Sequence, residues 1–144
     1  MRREYFRAVE AALYEYPAVL RQIVLQEQYL EAVYGSPNYR FSDSPAGCGR
    51  KTVAVQERIV ERKEDSEYLR LLKAKAEAVE RAMETMPLPL TELVELKYFR
   101  RIEDREAIAR LKVSRSKFYE TRAKVVEHCA PFILGPFGFR HNRK

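Results

Sequence analysis

The chain has 144 residues and a net charge of +6, with 46% apolar and 33% charged residues, five glycines and no tryptophan. So few glycines argue against an all-β fold with many tight turns, and the lack of an apolar run of about 18 residues argues against a transmembrane helix. The basic start has no apolar stretch like that of a secretory signal, and Cys48 and Cys129 lie far apart, so we expect a reduced, cytoplasmic protein.

The first predicted element is helical and runs from about Arg3 to Tyr34. Its apolar residues recur at helical spacing: Phe6, Val9, Leu13, Val19, Ile23, Leu30 and Val33. Pro17 lacks the amide that an interior helical turn needs, yet it suits the first turn of a new helix. The pattern therefore fits two helices, at 3–15 and 17–34, or one helix kinked at Tyr16-Pro17.

A long loop and a long helical pattern follow. Residues 35–51 are rich in Gly, Pro, Ser and Asn, which predicts a loop that is either mobile or packed across the protein as an arm. Thr52 suits an N-cap, and a stripe from Val55 to Met86 then steps by three or four, apolar except for its polar middle at Arg62 to Ser66. This fits one helix, or two with a break near Asp65-Ser66, where Ser66 would cap the second.

The length of that pattern bears on self-association. A helix this long is typical of a coiled-coil-like hairpin or a dimer seam, and the alternative is a core helix packed on the first helices. We expect residues 1–86 to mediate homo-oligomerisation, with a dimer favoured. The segment Met86-Pro87-Leu88-Pro89-Leu90 predicts a stiff connector to a second part at 87–144. There, Thr91 is expected to cap a helix from about Glu92 to Phe99.

Residues 104–124 predict a helix, a short turn and a second helix. Asp104 suits the cap of the first helix, whose inward face would carry Ala107, Ile108 and Leu111. Lys112-Val113 forms the turn, and Ser114 caps the second helix. The core side of that second helix would carry Phe118, Ala123 (or the stem of Arg122), Val125 and Val126. The predicted fold is therefore all-α, with a helix-turn-helix after an N-terminal helical part.

The second helix also has an outward face suited to DNA. A recognition helix places its N-terminal residues in the major groove, where they bond base edges, while flanking cations hold phosphates. Residues 97–144 hold 13 Lys and Arg against 5 Asp and Glu, a net charge of +8, which points to a polyanion partner. The candidate DNA-binding residues are Ser114, Arg115, Ser116, Lys117, Tyr119 and Arg122, with Lys112, Arg101 and Lys124 flanking them.

The order of several features along the chain resembles a known family. These are Tyr16-Pro17 within the first helix, Ser42-Asp43-Ser44-Pro45 before a Gly-containing loop, the long helix to Met86, the segment from Leu93 to Phe99, and Val113-Ser114-Arg115-Ser116-Lys117-Phe118-Tyr119 through Arg122. Together they resemble the RinA/ArpU group of phage transcriptional regulators, whose C-terminal end is similar to sigma-factor region 4. The resemblance implies a phage or prophage protein that activates late genes by binding DNA upstream of them.

Two other functions fit parts of the pattern. A small terminase subunit would join a helix-turn-helix to helical oligomerisation, as a ring on packaging DNA. An adaptor of the sigma/anti-sigma kind would bind a protein partner such as RNA polymerase through the apolar tail at 131–139. That tail either folds back on the core or forms such a patch; its large side chains are Phe132, Ile133, Leu134, Phe137 and Phe139.

No catalytic, cofactor or metal site is predicted, and we expect no enzyme. Gly47-Cys48-Gly49-Arg50-Lys51-Thr52 resembles a phosphate-binding loop, but an arginine intrudes before the lysine and no apolar strand precedes it. His128, His141 and the two cysteines lack the paired spacing of a zinc site. Cys129 is better explained as a small buried residue.

Overall fold

The computed structural model describes the backbone of residues 2–34 and 66–141, and side chains as far as residue 135. Its helices are α1 (Arg3–Tyr34), α2 (Glu67–Glu84), α3 (Leu88–Leu93), a π-helical turn (Val94–Phe99), α4 (Asp104–Leu111) and α5 (Arg115–His141). The described ranges contain no strand, so the predicted all-α class is confirmed. Within them, no helix has both the length and the apolar character needed to cross a membrane.

The first predicted segment forms a single helix. Pro17 lies inside α1, so the alternative of two separate helices is wrong. Because a proline donates no amide hydrogen bond, one interior backbone bond of α1 is missing at this point. The change from one compact unit of the chain to the next falls directly after it, between Ala18 and Val19.

The chain divides into two compact units. One contains Met1–Ala18 and Lys75–Lys144, and the other contains Val19–Ala74. This differs from the predicted division at Pro87–Pro89, because the start of α1 and the end of α2 share a core with the C-terminal helices. The fully or almost fully buried members of that core are Val9, Leu13, Val79, Ala82, Met86, Leu93, Val94, Tyr98, Ala107, Phe118, Val125, Val126, Cys129 and Ala130.

The second unit buries Val19, Leu30, Leu69 and Leu72. Here α2 begins at Glu67. Ser66 caps it, because the Ser66 hydroxyl oxygen accepts a hydrogen bond from the Leu69 amide at 3.2 Å. The prediction that Ser66 caps a helix is therefore confirmed, and one uninterrupted helix through Ser66 to Met86 is wrong; what precedes Ser66 lies outside the described residues. The predicted loop at 35–51, with Arg50 and Lys51, and the predicted cap at Thr52 lie outside the described residues.

Helix α3 begins earlier than predicted. Pro87 is its extended N-cap, and Pro89 lies in its first turn, where a missing amide costs nothing. Thr91 does not cap a helix, because its hydroxyl donates back to the carbonyls of Pro87 and Leu88, both at 3.0 Å. Leu93 and Val94 are buried, and Leu96 packs against the same core.

The end of α5 carries the apolar tail. Gly135 interrupts the helix with a φ of 71°, a left-handed conformation that favours glycine. Ile133 and Leu134 pack against the core, which agrees with the folded-back alternative for these two residues. Phe132 remains 37% exposed. The side chains of Phe137 and Phe139 lie outside those that the structure describes.

Candidate nucleic-acid interface

The turn between α4 and α5 is a Schellman motif centred on Lys112. Lys112 has a φ of 57°, and its amide donates to the Ala109 carbonyl at 3.3 Å. The amide of Val113 donates to the Ile108 carbonyl at 3.4 Å. Ile108 and Val113 both pack on the core, which supplies the apolar contact typical of this motif. The predicted turn at Lys112-Val113 is confirmed.

We expect Lys112→Gly to stabilise the fold. A non-glycine residue strains the backbone at this φ, and glycine removes the strain while adding freedom to the unfolded chain. The free energy of unfolding, measured by urea denaturation, should rise by about 0.5–1 kcal/mol. Lys112→Ala is the matched control, because it also removes the charge but keeps the Cβ. An equal gain in both variants would show that the lysine charge, and not its backbone, is unfavourable.

The predicted cap of α5 is confirmed, whereas that of α4 is wrong. The amide of Lys117 donates to the Ser114 hydroxyl oxygen at 3.1 Å, which satisfies an amide of the first turn of α5. Asp104 is the first residue of α4, one position beyond the cap. Its carboxylate instead accepts a hydrogen bond from the Lys97 ammonium at 2.5 Å.

The start of α5 presents its polar side chains to solvent. Ser114, Arg115, Ser116 and Lys117 are all exposed. The Lys117 ammonium lies 4.0 Å from the Glu120 carboxylate, at the outer limit of an ion pair. Arg115 lies over the half-buried ring of Tyr119, with its Cζ 5.8 Å from the ring centre. Both cations therefore remain available to an anionic partner.

The flanking cations are placed less uniformly. Lys112 and Lys124 are exposed, and Lys124 pairs with Glu120 at 3.4 Å. Arg101 is exposed but has a left-handed backbone, with a φ of 53°. Its guanidinium lies 5.5 Å from the Tyr14 ring centre and donates to the Tyr14 carbonyl at 3.3 Å. An anion would therefore have to draw Arg101 away from α1 to bind it fully.

Arg122 was expected on the outward side of α5, but it faces α1. Its Nε donates to Glu10 Oε2 at 3.0 Å, and its Nη2 donates to Glu10 Oε1 at 2.9 Å. The Tyr98 hydroxyl donates to the same carboxylate at 2.7 Å. The two ionic side chains are 29% and 14% exposed. Arg122 therefore joins α5 to α1 and does not lie with Arg115 and Lys117.

This contact shifts the pKa of all three groups. Burial raises the pKa of Glu10, but hydrogen bonds from Arg122 and Tyr98 and the charges of Arg122 and Lys97 outweigh it, so the pKa is lowered. Burial and the hydrogen bond to Glu10 raise the pKa of Tyr98. The hydrogen bond to Glu10 raises the pKa of Arg122 despite its partial burial. The pair is therefore ionised throughout the neutral range.

Lys97 lies in the core and was not predicted as a site residue. It is 7% exposed, and its ammonium lies 6.0, 5.6 and 5.9 Å from the ring centres of Tyr14, Tyr98 and Phe118. Burial lowers its pKa, but the hydrogen bonds to Asp104 and Tyr14 outweigh this and raise it. Lys97 therefore stays charged and acts within the fold, so it adds nothing to the outer basic surface. Its spacing of four from Leu93 was the available sequence signal.

Of the possible metal ligands, His128 and Cys129 lie among the described side chains. His128 Nε2 lies 3.0 Å from both the Thr85 hydroxyl and the Ala82 carbonyl. Cys129 is buried, as predicted, and burial raises the pKa of its thiol to about 12. No metal-binding group of three ligands occurs among the described residues.

Comparison of the chain with protein-family models, characterised proteins and solved structures found no match.

Proposed function

We propose that the protein is a sequence-specific DNA-binding regulator of transcription that reads duplex DNA with α5. The observation that carries the proposal is the exposed first turn of α5, where Arg115, Ser116 and Lys117 project from a helix buried on its other side. The Ser114 cap and the Lys112 turn fix how this helix leaves α4. A helix presented in this way fits the width of the major groove.

The side chains suit the chemistry of base and phosphate recognition. Arg115 carries a fork of donors that matches the two acceptors of guanine, and Lys117 supplies a compact cation. Ser116 can donate to a base edge or a phosphate. Lys112 and Lys124 suit phosphate contacts, which set register without reading sequence. Arg122 is left out of this set, because its donors are engaged by Glu10.

The resemblance to the RinA/ArpU regulators supports a narrower proposal. In it, the protein acts in the cytoplasm as an activator of phage or prophage late genes. It would bind as a homodimer, with two recognition helices one DNA turn apart, and would contact RNA polymerase near its site. Multi-angle light scattering of the purified chain tests the stoichiometry. A dimer agrees with the proposal, whereas a ring of many copies would favour a small terminase subunit.

We expect Arg115→Ala and Lys117→Ala each to weaken binding to a specific duplex by about 1–3 kcal/mol, as for the loss of a base contact. The measurement is fluorescence anisotropy on duplex fragments from the gene's own genomic neighbourhood, titrated across salt. Arg81→Ala is the matched control, because it removes an exposed cation of α2 whose ion-pair partner is Glu77. Failure of every fragment to bind at low salt would contradict the proposal and favour the adaptor.

A further inference from the structure

We propose that Arg100, which ends the π-helical turn, and Arg105, in the first turn of α4, form a second contact with the phosphate backbone beside the groove that α5 enters. The inference rests on the proposed function and adds residues that extend its DNA surface. Both arginines are exposed. Among the described residues, neither side chain has an ion-pair partner.

The placement follows from one buried ammonium group. Lys97 Nζ bonds the Asp104 carboxylate at 2.5 Å and lies 5.9 Å from the centre of the Phe118 ring. Asp104 is the first residue of α4, and Phe118 is in the first turn of α5. A single side chain therefore holds the start of α4 beside the start of α5. Arg105 directly follows Asp104, so its backbone lies at this junction.

The local charge balance also favours an anion here. Asp104 is neutralised by Lys97, and Glu106 is engaged by Arg110 at 2.8 Å. Glu103 and Glu95, whose carbonyl accepts from the Arg100 amide, are the remaining exposed carboxylates near the junction. Against them stand the two proposed arginines and Arg101, which also lies between the π-helical turn and α4. These five exposed groups, three cations and two anions, therefore carry a net charge of +1.

The partner that fits these residues is the phosphate backbone and not the bases. Arginine forks bind phosphate oxygens bidentately, and they do so on any sequence. With α5 in the major groove, the preceding helix of such a motif crosses the neighbouring backbone. The start of α4 would then meet the phosphates at the groove edge, where two arginines each replace one condensed counterion.

The test uses the full chain carrying both Arg100→Gln and Arg105→Gln, with a mixed-sequence 30-base-pair duplex as the probe. Two lost phosphate contacts should reduce the slope of log affinity against log salt by about 1.8, and weaken binding roughly tenfold or more at 0.1 M salt. The ratio of affinities for a selected fragment and the mixed duplex should stay unchanged. A second variant with Arg100→Lys and Arg105→Lys keeps both charges, so it should have most of the wild-type slope.

The matched control combines Lys75→Gln with Arg81→Gln. Both cations are exposed on α2, which ends at Glu84. The next residue, Thr85, contacts His128, about 20 Å along α5 from Arg115. An equal loss in this control would show an effect of net charge and would overturn the inference. A wild-type slope in the Gln pair would overturn it while leaving the proposed function intact. Absence of DNA binding by the wild type would defeat both.

Discussion

We expect Phe118→Ala to lower the free energy of unfolding by about 3–5 kcal/mol, the range found for deleting a buried aromatic ring. The ring is fully buried, and its centre lies 5.4 Å from that of the Tyr119 ring. The Lys97 ammonium lies over its face, 5.9 Å from the ring centre. Removal of the ring leaves a cavity beside an ion that has little access to water. Chemical denaturation monitored by circular dichroism gives the value directly.

Phe132→Ala provides the comparison within the same helix. Phe132 is 37% exposed and contacts His128 at 5.9 Å, so its loss opens no closed cavity. It should cost about 1 kcal/mol or less, in the range of ordinary surface substitutions. A similar cost for the two phenylalanines would contradict the described burial of Phe118.

Glu10→Ala is expected to have the second largest effect, a loss of about 2–3 kcal/mol. The substitution leaves the half-buried Arg122 guanidinium without its two acceptors and the Tyr98 hydroxyl without its partner. A partly buried charge that loses its counter-ion is strongly destabilising, although the 29% exposure of Arg122 moderates the cost. Glu10→Gln should cost less, because an amide oxygen still accepts one of these hydrogen bonds.

The pH dependence of stability separates the charge from the hydrogen bonds. Because the pKa of Glu10 is lowered in the folded protein, its contribution is fully present above the ordinary pKa of glutamate. The contribution is lost as the pH falls through the lower, folded-state pKa. The difference in unfolding free energy between the wild type and Glu10→Gln should therefore be constant from about pH 6 to 8 and shrink in acid. A difference that grows in acid would contradict this assignment.

The features predicted correctly from the sequence depend on neighbours within one or two helical turns. Ser66 and Ser114 were identified as caps because a short hydroxyl precedes an amphipathic run. The buried face of α5 followed from the spacing of its apolar residues. Asp104 was assigned the wrong position, since acidic side chains suit both the cap and the first turn of a helix.

The features that were missed depend on distant parts of the chain. Arg122 lies four residues after Phe118 and three before Val125, so its spacing places it on the buried stripe. Its partner Glu10 is 112 residues away, and no local pattern connects them. Lys97 was missed for a related reason. Its spacing from Leu93 is that of a buried helical face, but the groups that hold its ammonium, on Tyr14, Asp104 and Phe118, come from other elements of the chain.

The sharing of one core by both ends of the chain has a consequence for synthesis. Val9 and Leu13 are buried in the same cluster as Val125 and Ala130. During translation, the apolar face of α1 emerges before the rest of this core and has no complete partner until the ribosome has made α5. Closing so long a loop costs entropy before its contacts form, which slows folding. The apolar face of the nascent α1 therefore stays exposed and prone to aggregation. A chaperone that binds apolar helices would thus have α1 exposed to it for longer than the helices made later.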